Sequence, residues 1–512
     1  MNGDHARSAE LLAVLSQAMP GEKELARKAL DAAIDSGRFD LALSLARRMN
    51  SASLPNDARL LLVGDELRRG RSDRALAFLT ANSDGTDLTF LRPLVVAWDQ
   101  AGRGDLNSAL ATLRAIPANG PLATFRDEET AFVLLKFRRT ADAEPFARRA
   151  IGSAGPRETQ IRLALANGFI ASGDRARAEV MLDGIAPDAN GAAQRLLAGK
   201  LSNIGVDNGA EAFSEVLTAL AGDLARMQRA APPLGLAQAA RFANPDNRGA
   251  TLLLALLLDI RNRPDAALAL LRSVPADDPL IGQSRDSQVR ILNGEKRYAE
   301  AYQVAAPAAA SPTATAGDFS RLGDVYSAMK RNHEAADAYA RAIAKAGKPG
   351  GTEQLWALYL LRAGALEEGN RWPEAKRALE QGLALAPEQP LLLNFLGYAK
   401  LERGEDMDSA EAMIRKASEL APDDASIADS LGWAQFKRGK KTEAIATLQG
   451  AAEKDPEQAE IQEHLGDALF SAGRRFEARF AWQAAMVTAE DHVARRVQAK
   501  IQAGLNPGNA AP

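Results

Sequence analysis

The sequence predicts an all-α chain built as an α-solenoid, and three observations carry that reading. Columns of small and apolar residues recur with a period of 34, so that Leu431, Gly432, Ala444 and Ala451 return as Leu465, Gly466, Ala478 and Ala485. Alanine, leucine and arginine dominate while aromatics make up 5%, and no run alternates apolar and polar residues long enough to read as a strand. A period of that length in several columns marks stacked helical hairpins, which grow by nearest-neighbour packing and so escape the size limit of a single core at 512 residues.

Residues 1–20 read as a leading helix, amphipathic from Ala6 to Ala18. Over 21–221 a degenerate set of hairpins follows, in which the turn and the small residue after it survive: Gly37-Arg38-Phe39 before Ala42, Gly70-Arg71 before Ala75, Gly173-Asp174 before Ala178. The small residue near the start of each second helix runs Ala42, Ala75, Ala109, Ala143, Ala178, Ala210, then Ala266, Ala301, Ala335, Ala375, Ala410, Ala444, Ala478, mostly in steps of 32 to 35. The step of 40 after Ala335 is explained by a lengthened loop at Gly347-Lys348-Pro349-Gly350-Gly351-Thr352. The step of 56 after Ala210 contains Ala231-Pro232-Pro233 and Asn244-Pro245-Asp246-Asn247, so 222–250 is expected to be an irregular seam with the weakest neighbour contacts. Hairpins resume over 251–490 and match best over 391–490. Thr442-Glu443, Ser72-Asp73 and Pro373-Glu374 stand where second helices should begin, as caps or first-turn residues. Val493, Val497 and Ile501 recur at fours on a segment rich in Arg495, Arg496, Gln498 and Lys500, which predicts a capping helix over 491–503 above Trp482, Met486 and Val487, and then a flexible tail over 504–512.

The strongest unit, Leu431, Gly432, Gly439, Ala444, Leu448, Ala451, Pro456, resembles the tetratricopeptide repeat, in the bacterial multi-repeat type. Leu322-Gly323 with Tyr326, Ala335, Tyr339 and Ala342, Trp372-Pro373-Glu374-Ala375, and Leu396-Gly397 with Ala410, Ala417 and Pro422 extend the likeness upstream. The resemblance implies about a dozen antiparallel helix pairs in a right-handed superhelix, first helices lining the concave side, and a protein-binding function. A subset of the family clamps the C-terminal carboxylates of chaperones with basic residues. Here the matching face offers Asp429, Glu463 and Asp467, which would repel such a ligand.

Charge is nearly balanced, 63 basic against 66 acidic residues, with no long run of either sign, which argues against nucleic acid as a partner. The stretch 391–490 leans acidic, with 18 acidic and 12 basic residues. No apolar run reaches the length of a membrane span. The absence of cysteine excludes disulfides, thiol catalysis and cysteine-ligated metal, and no cofactor is called for. The opening residues carry no apolar signal segment, so the chain as it stands reads as cytoplasmic and a processed form as periplasmic. His333-Glu334 lacks the second histidine of a zinc-protease helix, and Gly102-Arg103-Gly104 follows no strand, so both read as turn chemistry.

What remains is a binding surface. Asp429, Trp433 and Phe436 stand at i, i+4 and i+7 on one helix face, Glu463, Asp467 and Phe470 repeat it 34 residues on, and Asn394, Tyr398 and Leu401 occupy it one unit earlier. Acceptors beside aromatic surface suit a basic and apolar peptide or helix of a partner protein. The chain is therefore read as a non-enzymatic scaffold. The alternatives are a self-associating structural protein and an accessory subunit of an enzyme or envelope complex.

Overall fold

The computed structural model describes residues 5–19, 21–50, 54–80, 87–185, 189–201, 204–227, 233–347 and 355–511. Among these stand 29 α-helices and no strand. The chain divides into two compact units, Met1–Val304 and Ala305–Pro512, so the boundary falls beyond the interval 222–250. Ala231, Pro232 and the loop residues 348–352 lie outside the described residues. No helix among the described residues is long and apolar enough to cross a membrane.

The hairpins exist because the alanine column lets two helices cross closely. Ala42, Ala75, Ala109, Ala143, Ala178, Ala301, Ala335, Ala375, Ala410, Ala444 and Ala478 are all at 0% exposure, each seated where a second helix meets the first. In one hairpin the seat is taken one residue later than expected, by the fully buried Ala267 in place of Ala266, which restores a step of 34 to Ala301. The Leu-Gly pairs serve the same crossing from the other side. A Cβ built on Gly432 would lie 2.6 Å from Leu448 Cγ, and one on Gly466 2.3 Å from Trp482 Cδ1.

The turn inside each hairpin needs one residue in the left-handed region. Gly37, Gly70, Gly104, Gly173, Gly404, Gly439 and Gly473 supply it, and at the same register Arg138, Asn262, Lys296, Lys330 and Asn370 adopt φ of 56° to 58°. This column was hidden in the sequence wherever glycine was absent. Helix starts are capped by Asp105, Asp174, Asn247, Thr315, Asp406 and Asp424, whose side chains accept from backbone amides, whereas Ser72 and Thr442 lie inside their helices and no side chain caps either one.

In unit 1 the described residues 233–250 of the interval expected to be loose are densely packed. Helix Gly209–Met227, 19 residues long, returns into helix Leu234–Ala243, and these pack on helices Asn56–Arg68 and Lys23–Asp35. Ala237, Ala239 and Ala240 are buried, Phe242 lies 5.0 Å from Phe39 ring to ring, and Ser214 donates to the Ala240 carbonyl at 2.7 Å. Gln238 and Arg263 both donate to the carbonyl of Asp35, at 3.4 and 3.0 Å. The repeat period fails here because these helices fill the face of earlier hairpins and do not extend the stack.

In unit 2 five hairpins run from helix Ala316–Ala328 to helix Arg475–Thr488, and helix Asp491–Ala503 closes them. Val493 and Val497 bury against Trp482, and Met486 is half-buried there, whereas Val487, expected beneath the closing helix, is exposed. Residues 504–511, expected to be a flexible tail, are seated against the repeats.

The strained turn column generates a prediction for unit 1. Lys296 is exposed at φ 57°, so Lys296→Gly should raise stability by roughly 0.5 to 1 kcal/mol, the relief of left-handed strain less the entropy of glycine. Thermal melts of the two proteins check it.

Candidate functional site

The first helices Pro390–Glu402, Ala425–Lys437 and Ala459–Ser471 hold the row read from the sequence. Asp424 caps the second of them through the amide of Ile427 at 3.0 Å, which fixes the register of Asp429, Trp433 and Phe436. The structure brings Asp429 and Trp433 together with a residue the sequence reading passed over, His464. Its Nδ1 lies 2.9 and 3.0 Å from the two carboxylate oxygens of Asp429. The Trp433 ring stacks on His464 at 4.1 Å and on Phe436 at 4.9 Å, with the Lys437 ammonium 5.3 Å from its centre. Trp433 is buried to 1% exposure and is core as well as row. Burial works against a charge on His464, yet the Asp429 carboxylate, helped by Asp467 and Glu463, outweighs it and holds the imidazole pKa above its ordinary value.

Glu463 and Asp467 were read as acceptors open to a partner, and the structure corrects their exposure. Glu463 takes both Nε and Nη2 of Arg496 at 2.7 Å and Lys500 Nζ at 2.6 Å. Asp467 takes Lys500 Nζ at 2.7 Å, the Trp482 indole N–H at 2.9 Å and the backbone N–H of Ala511 at 3.2 Å. Lys500 and Asp467 are both at 0% exposure. The physical reason is the cost of an unpaired buried carboxylate, which the closing helix removes by turning Arg496 and Lys500 inward beside Val493 and Val497. Burial alone would raise the pKa of Glu463, but its bonds from Arg496 and Lys500 bring it below the usual carboxylate value.

The remaining members of the row are half-buried. Phe470 tilts on Trp482 at 5.4 Å, and Phe436 rests on Trp433. Burial, with Glu402 and Asp429 nearby, pushes the Tyr398 hydroxyl pKa up, so it stays a protonated donor. Asn394 carries a buried side-chain oxygen with no hydrogen-bond partner, and Glu402 Oε1 is in the same condition. Both oxygens lie on helix Pro390–Glu402, and the Lys437 ammonium stands 3.9 Å from Glu402 Oε1.

Unit 1 contains a carboxyl cluster the sequence reading did not single out. Glu128 pairs with Arg157 through bonds of 3.3 and 3.0 Å, and Glu129 accepts from the Trp98 indole at 2.7 Å while its Oε1 has no partner. Burial, then the neighbouring Glu128, raises Glu129 to about 8, and the same two causes raise Glu215 to about 7. Glu128 and Glu215 line a cleft of about 100 Å³ together with Phe132, Gln160, Val206 and Asn247. The sequence signal was the adjacent pair Glu128-Glu129 in the first turn of a helix, which reads equally as ordinary helix-terminus charge.

Residues 360–425 and 430–492 match the family profile described as Tetratricopeptide repeat. No curated protein matches the chain. Among solved structures the chain is similar to a tetratricopeptide repeat protein from Parabacteroides merdae, at 13% identity and a TM-score of 0.40, over 50% of this chain and 98% of that one. It is also similar to the yeast Tom70, at 12% identity and a TM-score of 0.39, over 88% of this chain and 96% of that one. A third is YrrB, described as a TPR protein with an unusual peptide-binding site, at 18% identity and a TM-score of 0.28, over 37% of this chain and 94% of that one.

Two pH dependences follow, of the same sign and in different windows. Folded Glu129 keeps a proton that the unfolded chain releases, so unit 1 should lose stability as pH rises from about 4.5 to about 8. The slope is at most about 1.4 kcal/mol per pH unit for one proton. Glu129→Gln should flatten it in denaturant titrations at several pH values. The stabilisation from protonated His464 is fully present below the ordinary histidine range, near pH 6.5, and lost as pH rises through its raised value. His464→Phe, which leaves Asp429 buried and unpaired, should cost about 3–5 kcal/mol and remove that dependence from the melting of unit 2.

Proposed function

We propose that this tetratricopeptide-repeat protein is a non-enzymatic scaffold that binds a basic and apolar segment of a partner protein along the first-helix row of unit 2. One observation carries the reading: this row already buries such a segment, because Arg496 and Lys500 of the closing helix are drawn onto Glu463 and Asp467 with Val493 and Val497 beside them. A surface that neutralises and desolvates two cations in cis has the chemistry to do so for another chain. The row continues on helix Pro390–Glu402, where Asn394 Oδ1 is buried without a hydrogen bond, Glu402 Oε1 faces the Lys437 ammonium at 3.9 Å and Tyr398 offers a half-buried ring. A donor from a partner that reached Asn394 Oδ1 would satisfy an acceptor the fold leaves without a bond.

A second reading has its own observation. Phe476, Phe480 and Val487 on helix Arg475–Thr488 are 75%, 57% and 82% exposed, and Phe476 and Phe480 stand edge to face at 4.9 Å. An apolar stripe of that kind suits contact with a second protein or a second copy. Light scattering of the full chain beside Phe480→Glu separates the two: a dimer dispersed by the substitution supports self-association.

The leading reading is tested with random peptides displayed on phage and selected on the full chain. Selected peptides should carry lysine or arginine among apolar residues, and Asn394→Ala and Tyr398→Phe should each weaken them about tenfold with melting temperatures nearly unchanged. Selection of acidic peptides, or binding indifferent to both substitutions, would place the function on another surface.

A further inference from the structure

We propose that residues 504–511 are a resident ligand of the last two repeats, and that the surface beneath them recognises a turn-forming partner segment of small uncharged residues that offers a backbone N–H to Asp467 and a methyl-sized side chain to the hollow at Trp433. This rests on the scaffold reading above and names a second ligand chemistry within the same row.

The closing helix already completes the stack by Ala503, since Val493 and Val497 cover Trp482 and Lys500 neutralises the buried acids. The chain nonetheless breaks at Gly504, at φ +80°, and crosses Phe470 so closely that a Cβ on Gly504 would lie 2.8 Å from its ring. From there to Asn509 the segment is closed on itself. Asn509 Nδ2 donates to the Gly504 carbonyl at 2.9 Å, the Asn506 amide to Asn509 Oδ1 at 2.7 Å, and the Asn509 amide to the Asn506 carbonyl at 3.1 Å. A turn built from its own hydrogen bonds arrives pre-shaped and asks little of the surface that receives it.

What that surface gives is specific. Leu505 packs on the cluster that holds Phe470 and Val497, the Ala511 amide donates to Asp467 Oδ2 at 3.2 Å, and the Ala511 methyl is buried to 5% in the cluster of Leu401, Leu431 and Trp433. Asp467 suits an N–H because Lys500 and the Trp482 indole already occupy it on other sides, leaving room for a neutral donor and none for a second cation. The hollow takes a methyl because Trp433 is fixed in place by its stack with His464 and Phe436. Attachment is loose. Among the described residues one hydrogen bond to the repeats and two apolar side chains hold the segment, so a partner with the same features and a larger contact displaces it.

The experiment uses the full chain, its Gly504→Val and Ala511→Glu variants, and a fluorescein-labelled synthetic peptide with the sequence of residues 504–512, followed by fluorescence anisotropy. Gly504→Val places a side chain against Phe470 in a strained conformation, and Ala511→Glu sets a carboxylate on Asp467, so each unseats the segment by a different route. Hydrogen exchange should show the Ala511 amide protected in the unaltered chain and unprotected in both variants. Both should bind the peptide at least tenfold more tightly than the unaltered chain, and a peptide carrying lysine at the Ala511 position should not bind. An unprotected Ala511 amide in the unaltered chain, or variants with a freed segment and no gain in peptide binding, overturns the proposal. Phage-selected basic peptides measured on the same samples keep the two readings apart, because their binding depends on Asn394 and Tyr398 and not on the seat of Ala511.

Discussion

Everything in this chain depends on how closely two helices cross inside each hairpin. At the crossing the second helix brings a fully buried alanine and the first helix a glycine with no room for a Cβ, as with Ala444 and with Gly432 against Leu448, and with Ala478 and with Gly466 against Trp482. A close crossing brings backbone and short side chains into dense contact, so each hairpin is held by many small dispersion contacts with few large residues. That is why a chain with 5% aromatics packs well, and why its apolar clusters form locally along the sequence, as at Ile445 to Val497 and Ala335 to Leu396. The energy of such an array is a sum of neighbour terms, and its polar contacts have to obey the same neighbour rule.

They do so at one period. Arg297 holds Asp265, Lys440 holds Glu411, His464 faces Asp429 and Arg496 holds Glu463, each base lying 29 to 35 residues beyond its acid. A carboxylate set on one hairpin is answered from the next, so its desolvation is compensated only when the neighbour stacks correctly. Such ties add register to the stack: a slip of the next helix would leave a carboxylate buried without its partner.

This explains what could be read in advance and what could not. The alanine column and the Leu-Gly pairs are periodic, and periodicity survives in one dimension. The left-handed turn column is equally periodic in space, yet it was invisible at Arg138, Lys296 and Lys330 because the backbone there adopts φ near 57° against the preference of its residues. Helix Leu234–Ala243 was misjudged because its partners, Asp35, Phe39 and Gly64, are about 200 residues away and follow no repeat. The row of Asp429, Glu463 and Asp467 spans helices Ala425–Lys437 and Ala459–Ser471. Its exposure was not legible, since the answering groups His464, Arg496 and Lys500 stand on the next helix and carry ordinary surface letters.

Satisfaction in cis changes where binding energy can arise. A partner reaching Glu463 would have to displace Arg496 and Lys500, returning two buried acids to the unpaired state before gaining anything, so those residues shape the end of the row more than they feed affinity. Groups with unmet hydrogen-bond capacity face the opposite balance. Asn394 Oδ1 is already desolvated without a hydrogen bond, so the penalty for burying it is part of the folded state and a donor that reaches it from another chain is nearly all gain. Two kinds of surface thus lie along one face: a closed end that the chain fills with its own helix and segment, and a stretch on helix Pro390–Glu402 where the fold leaves Asn394 Oδ1 without a hydrogen bond.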